Sequence, residues 1–322
     1  MKTRTGIAMV AALSAATAGS VHAGGAGTTA ANFLKIGAGA RPVAMGETFI
    51  GTADDISALY WNPSGLAQLG SWELQLMHGA WMQDVNYEYF AVGGPVGAAG
   101  TFALSVTGLL SSGIPGYTLD AIGAPSQTSD LSVAAFGGTI GYGQRLDTIL
   151  GLKDSLDIAI GGSVKFVSQN LGGSSHVAYA ADLGALWRLN ENFQIGTTLA
   201  DIGTSNIGFS TPTHFRLGAG YMTGSLMTRG DRLTAGSDVT FWSDETPKFH
   251  LGLEYAIPFR PLRAAIRFGY KIIPDTGPIA GLTFGGGLAL ITQGSFELAL
   301  DYALVPYGEL GISHRLGLGV KF

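Results

Sequence analysis

The chain has 322 residues, 50 of them glycine and none cysteine, with 13% charged residues and a formal net charge of -5. So little charge excludes a disordered acidic protein, scattered glycine without a three-residue period excludes collagen, and the lack of thiols excludes disulfide stapling and thiolate chemistry. The basic residues form no block and accompany no recognisable nucleic-acid module, so nucleic acid is not an expected partner.

Residues 1–23 read as a secretory signal peptide: Lys2 and Arg4, an apolar stretch from Ile7 to Ala18, then small residues around Val21-His22-Ala23. Cleavage after Ala23 would leave Gly24 as the new terminus. Residues 24–70 are rich in turn formers, with short helices predicted at Ala44 to Thr52 and at Asp54 to Tyr60. Asp54 or Asp55 would cap the second helix, and Asn62-Pro63 would stop it. The length and apolar content of this segment suit a plug inside a barrel.

From residue 71 to residue 322 the hydrophobic period becomes two. Strands are predicted at 71–81, 85–94, 97–109, 129–142, 156–170, 175–189, 192–201, 213–224, 231–243, 248–257, 261–272, 278–291, 294–304 and 311–322. Phe249, Leu251, Leu253 and Tyr255 share one face of their strand, and His250, Gly252, Glu254 and Ala256 the other. The last strand sets Leu316, Leu318, Val320 and Phe322 on one side. These lengths approach the roughly 9 to 11 residues that cross a bilayer at a tilt of about 45°. Hydrocarbon accepts such strands only where every backbone group is paired, which a closed sheet achieves and an open one does not. The fold expected is therefore all-β: a transmembrane antiparallel β-barrel of about 14 strands with an amino-terminal luminal plug. It belongs in the outer membrane of a diderm bacterium, among outer-membrane lipids and assembled by the barrel-assembly machinery.

Long loops on one side and short turns on the other are the usual barrel asymmetry. Leu110 to Thr128 reads as a long, turn-rich connection, whereas Leu189 to Asn192 and Ile257 to Pro261 read as short. Glycine runs such as Gly137-Gly138, Gly161-Gly162 and Gly285-Gly286-Gly287 would permit close backbone approach and leave room for the plug.

The stretch GAGARPVAMGETFIGTADDISALYWNPSGLAQL, Gly37 to Leu69, carries Gly39-Ala40-Arg41-Pro42, Ala44-Met45-Gly46, Ala53-Asp54-Asp55 and Trp61-Asn62-Pro63-Ser64-Gly65-Leu66-Ala67. It resembles the amino-terminal signature of the PorV/PorQ-like outer-membrane proteins, within the long-chain fatty-acid transporter superfamily. The resemblance implies a fourteen-stranded FadL-like barrel with a luminal amino-terminal segment. It also implies either transport of hydrophobic compounds or, as in PorV-like members, an accessory or shuttle role in protein secretion. A barrel with no transport path is the third reading. The partner is accordingly a hydrophobic small molecule or a secreted protein.

No catalytic residue, cofactor site or metal site is expected. The histidines show no HExxH or recurrent ligand spacing, Ser64 lacks the GxSxG context, and Asp54-Asp55 lacks the alternating ligands of a calcium loop. The chain reads as no enzyme. Candidate plug or lumen residues are Arg41, Asp54, Asp55, Trp61, Asn62, Pro63, Gly65 and Leu66. Asp54 and Asp55 could pair with Arg41 and hold the plug to the wall, or simply cap a helix. Arg41 could instead receive a fatty-acid carboxylate. Phe33, Leu34, Ile36, Phe49, Leu59, Trp61 and Leu66 could serve an acyl chain or pack the plug.

Overall fold

Alternating side chains place every strand between two different solvents, and the architecture follows from that division. The computed structural model describes residues 25, 27–81, 85–120, 122–151, 157–272, 281–292 and 296–322. The expected signal peptide, residues 1–23, and the expected strand starts at 156, 278 and 294 lie outside these residues. The strands are β1 (Glu73–Ala80), β2 (Asn86–Pro95), β3 (Thr101–Ile114), β4 (Tyr117–Leu119), β5 (Pro125–Gln127), β6 (Leu131–Arg145), β7 (Ile158–Leu171) and β8 (Ser174–Arg188). They continue as β9 (Phe193–Ser205), β10 (His214–Gly224), β11 (Arg232–Trp242), β12 (Lys248–Phe259), β13 (Leu262–Ile272), β14 (Leu282–Ile291), β15 (Glu297–Pro306) and β16 (Ile312–Lys321). All but β4 and β5 form one closed barrel, each strand antiparallel to its neighbours, sealed where β1 pairs with β16 from Glu73↔Lys321 to Ala80↔His314.

The fourteen barrel strands match the expected fourteen segments. Among the described residues no helix is long and apolar enough to cross a membrane. On β12, Phe249, Leu251 and Leu253 are exposed while His250, Gly252 and Glu254 are buried. The same alternation runs around the wall, so its outside carries Leu104, Val106, Phe136, Ile140, Val164, Phe166, Leu217, Leu288 and Leu300. A continuous apolar belt of this kind is satisfied by lipid and not by water. Charged and histidine side chains of the strands take the inward phase, with three outward exceptions that sit on adjoining strands: His78 on β1, Glu88 on β2 and His314 on β16. His78 Nδ1 lies 2.7 Å from the Glu88 carboxylate, and His314 Nδ1 lies 2.7 Å from the Tyr302 hydroxyl.

The two barrel ends differ less in loop length than expected. The long connection between β3 and β6 is shortened because β3 runs on to Ile114 and β4 and β5 pair as a small hairpin. We call this the hairpin end, and the other, where β1 begins and β16 finishes, the terminal end. At the terminal end the β6–β7 connection contains a helical turn, Leu146–Leu150.

Residues 29–70 fill the lumen. Their route runs from the hairpin end, where Ala30 N donates to the Ser210 carbonyl at 2.9 Å and Thr29 Oγ1 to Asp244 at 2.8 Å, to the terminal end, where Trp72 pairs with Phe322. Two short helices punctuate it, α1 (Ala40–Ala44) and α2 (Ala58–Trp61), followed by a 3-10 turn, Pro63–Gln68. The first lies several residues before its expected position, and the second occupies the end of its expected span, starting four residues late. The predicted caps Asp54 and Asp55 do not cap α2: Asp55 instead accepts from the Ser57 N–H at 2.9 Å in the turn before it, and Asp54 is drawn into an ion pair. Asn62 does end α2, as expected, and its side chain then caps the following turn by accepting from Ser64 N.

Plug and wall touch backbone to backbone. A Cβ on Gly269 would lie 1.9 Å from Gly46 N, one on Gly196 2.1 Å from Ile50 O, one on Gly252 2.4 Å from Met45 O and one on Gly161 2.4 Å from Pro63 O. The core is accordingly the plug itself: Val43, Ala44, Met45, Phe49, Ile50, Leu59 and Leu66 are fully buried. Replacing Gly269 with Ala should cost about 1–3 kcal/mol by overpacking, read as a lower midpoint of unfolding in detergent. Gly138→Ala, whose Cβ would meet nothing within 4 Å, should leave the midpoint unchanged, and equal effects from the two would refute the contact.

Candidate functional site

The sequence around Arg41 dictates its placement. Gly39 precedes α1 with φ of 82°, a conformation glycine reaches without a Cβ penalty, and Pro42 sits in the first turn, where its missing N–H is not needed. Gly46, at φ of 68°, ends the turn and is also the residue pressed on Gly269. With both ends fixed, α1 delivers Arg41 to the terminal side of the plug.

There the guanidinium is held on two sides. Arg41 Nε and Nη2 each lie 2.9 Å from the Glu254 carboxylate on β12, while Nη1 donates to Asp54 at 2.5 Å and to Asp55 at 2.8 Å. Glu254 also accepts from Arg267 Nε on β13 at 2.6 Å, and Arg267 Nη1 reaches Asp301 on β15 at 2.6 Å. An alternating chain of charge thus runs from the plug across three strands of the wall. Bidentate geometry of this kind is the strong form of the interaction, and at this burial each charge requires its partner. Next to it, Glu73 accepts from Ile56 N at 2.9 Å and from Lys321 at 2.7 Å. These residues line a cavity of about 320 Å³ that opens towards the terminal end, whose other linings include Arg232, Arg263 and Glu297. Arg41 spends these donors on three carboxylates of the protein itself, which is the plug-to-wall pairing among its expected roles.

The remaining candidates lie deeper. Trp61 donates from Nε1 to the Ala38 carbonyl at 2.9 Å and carries the Arg216 guanidinium 4.9 Å above its ring. Asn62, fully buried, donates to Ile50 O at 2.9 Å and accepts from the Ser64 hydroxyl at 2.6 Å. Pro63 rests on Gly161 and Gly184 of the wall. Gly65 is required by its neighbours, since a Cβ there would lie 2.6 Å from Ala53, and Leu66 packs over Gly143. Phe33, Leu34, Phe49, Leu59, Trp61 and Leu66 belong to the buried plug core, with Ile36 packed against it.

Several wall residues that no plug motif pointed to complete the site: Asp238, which accepts from Phe49 N at 2.9 Å and Ile50 N at 3.1 Å; Thr283, which accepts from Gly46 N at 3.0 Å; and His250, which holds Gly46 O at 2.8 Å. Their signal was a polar residue on the inward phase of a strand. On the hairpin side of the plug a second cavity, of about 50 Å³, is lined by Lys35, Trp61, Lys165, His214, Arg216, Trp242, Lys248 and His250 together with Glu47 and Asp201. The His214 and Trp242 rings lie 4.0 Å apart there.

Burial alone would push the Glu47 carboxyl up, but Lys271, 2.9 Å away, and His250 outweigh it and hold it down at about 2. Asp55 behaves alike: burial raises it, and Arg41, Lys321 and the Ser57 hydroxyl bring it below the usual carboxylate range.

Residues 6–213 match the model of an uncharacterised protein family, UPF0164. No curated protein matches the chain. Among solved structures, the P. putida toluene transporter TodX superposes with a TM-score of 0.57 at 12% identity, covering 88% of this chain and 96% of TodX. The CymD monoaromatic hydrocarbon channel gives 0.56 at 11% identity, covering 89% and 97%. A Pseudomonas aeruginosa FadL homologue gives 0.52 at 10% identity, covering 88% and 97%. At these identities the likeness is one of fold.

Arg41→Ala would take from Asp54 and Asp55 their nearest cation and leave Glu254 with Arg267 alone, and should destabilise the barrel by roughly 3 kcal/mol, the scale of breaking a buried pair; Arg41→Lys should recover part of it. Because Glu47 and Asp55 have folded pKa values below their unfolded ones, their stabilisation is complete above the ordinary carboxylate range of about 4 and is lost as pH falls through their folded values, which for Glu47 is about 2. The thermal midpoint in detergent should therefore be flat from neutrality to about pH 5 and fall below about pH 4, and Glu47→Gln should lower the plateau and shallow that acid limb.

Proposed function

Because this chain belongs to the uncharacterised protein family UPF0164 and shares its fold with FadL-like channels, we propose that it is an outer-membrane barrel that passes a hydrophobic compound across the outer membrane. The supporting observation is the lumen: a plug with one cavity on each side, tied to the wall by polar links that water can replace when they part. The solved relatives are named a toluene transporter and a monoaromatic hydrocarbon channel, which sets the compound class to test first. In the state described here the path is closed, since plug and wall are in van der Waals contact around glycines of the wall. Passage then requires displacement of the plug, and the Arg41 to Glu254 pair is the link such a movement must break.

This reading carries the rest of the sequence expectations with it. Residues 1–23 serve as a cleaved signal, the barrel-assembly machinery inserts the chain beside outer-membrane lipids, and the protein performs no chemical step. A second reading keeps the PorV/PorQ-like placement, in which the barrel anchors a receptor for secreted proteins. It is favoured by the β4–β5 hairpin, which holds Tyr117, Leu119 and Ile122 exposed beyond the barrel rim.

Purified protein reconstituted in liposomes should take up toluene and longer acyl compounds faster than empty vesicles, with rates that depend on the compound's size. Arg41→Lys, which loosens the plug while keeping a charge, should change the rate. No flux for any compound, together with capture of secreted proteins that is lost on deleting residues 116–128, would overturn transport in favour of the second reading.

A further inference from the structure

The wall holds the plug unevenly. Every strand from β6 to β14 carries a glycine whose added Cβ would strike the plug, among them Gly143 against Pro63, Gly220 against Gly51 and Gly285 against Ala44. The same arc supplies hydrogen bonds, from Gln169 on β7, which accepts from Ala31 N at 3.2 Å, to Thr283 on β14. β1, β2 and β3 differ. A Cβ on Gly79, Gly93, Gly94 or Gly108 would meet the wall or Trp72 before any plug atom. Among the described residues no hydrogen bond or ion pair joins the plug to β2 or β3, and the one from β1 is at its terminal end, where Glu73 accepts from Ile56 N. β15 also lacks such ties, but it stands alone between β14 and β16, whose Arg315 donates to the Gly37 carbonyl. What β1 to β3 offer the plug is side chain: Met77, Tyr87, Tyr89, Ala91 and Ala103. These share one buried apolar cluster with Phe33 and Leu34 at the hairpin end of the plug and with Leu66 and Leu69 at the terminal end. A side chain turns about single bonds between staggered wells, whereas two backbones in contact part only when an element moves. The wall behind is unbroken, since β2 pairs with β3 from Asn86↔Leu110 to Pro95↔Thr101.

We propose that the hydrophobic compound passes between the plug and β1 to β3, with Met77, Tyr87 and Tyr89 as the side chains that turn aside and set the size admitted. The inference rests on the transport reading. A displaced plug needs room, and the terminal cavity of about 320 Å³ supplies it: the cavity is lined from β11 round to β16 and β1, with Asp54, Asp55 and Ile56 of the plug at its edge. Parting Arg41 from Glu254 lets residues 54–56 move into that space, away from β2 and β3. The compound then follows an apolar surface that no polar link interrupts, and with the wall closed it leaves along the barrel axis.

A chain without cysteine makes the test direct. Ala91→Cys on β2 and Thr198→Cys on β9 replace residues of matched burial, 0% and 2% exposed or less, and Thr198 lies two residues beyond Gly196, which is pressed on Ile50. In liposomes an apolar maleimide should label Ala91→Cys severalfold faster than Thr198→Cys, and the labelled Ala91→Cys barrel should pass toluene more slowly than the unlabelled one. Tyr89→Ala should raise the flux of compounds larger than toluene. If the natural chain passes toluene, labelling of Thr198→Cys at the same rate or faster, or unchanged flux through labelled Ala91→Cys, would overturn the route and leave transport standing. No flux through the natural chain would instead remove the transport reading, and the route with it. Should Tyr89→Ala fail to fold, the two cysteine variants, which change side-chain volume little, still decide.

Discussion

Backbone lying on backbone, with no side chain between, is the constraint from which this structure is built. Where the plug passes Gly196, Gly252 and Gly269 the wall has given up its inward side chains, and the plug's peptide groups occupy the space. Peptide groups brought out of water in this way need partners, and the wall supplies them from the neighbouring inward positions, Asp238, His250 and Thr283. The plug is therefore a layer of the core rather than a guest in a channel. The barrel's many glycines are intelligible as the complement of one particular segment.

Charge follows from the same division of inside from outside. Hydrocarbon excludes ions, so the strands turn theirs inward, where they meet the plug in a confined and partly dry space. Pairing there is obligatory. Arg41, Glu254, Arg267 and Asp301 satisfy each other in sequence, and the ends of the chain of contacts lie on different elements. Such a network adds little net stability over an apolar core but penalises any arrangement in which one member is missing. It fixes where the plug sits. The matching stops short at Arg216 and at Arg315, buried cations whose Nε atoms have no hydrogen-bond partner among the described residues.

The barrel was legible in the sequence because a period of two, repeated over many strand-length segments, suits a closed membrane-spanning sheet and little else, and the apolar phase of β12 and β16 named the lipid face directly. The plug was legible as a segment, through its turn formers and the Asn62 to Leu66 motif, but not in detail. Its second helix starts later than expected because Asp54 and Asp55, read as caps, are claimed by Arg41 and Ser57. Short helices are decided by such tertiary contacts rather than by propensity. The reach of β3 past Leu110 and the β4–β5 hairpin were missed for a related reason: turn residues such as Gly116 mark a reversal without saying how far the strands continue on either side. Glu254 was assigned to the inner face from sequence, yet its pairing with Arg41, 213 residues away, depends on which side of the closed ring each strand occupies.

The plug enters from the hairpin end while β1 starts from the terminal end, so the polypeptide traverses its own bore once before it begins to encircle it. An already sealed cylinder would have to swallow a segment whose helical turns are wider than an extended strand and whose resting places are the cylinder's own interior surface. The seam that joins the first strand to the last therefore closes the wall around a segment that precedes both in the chain.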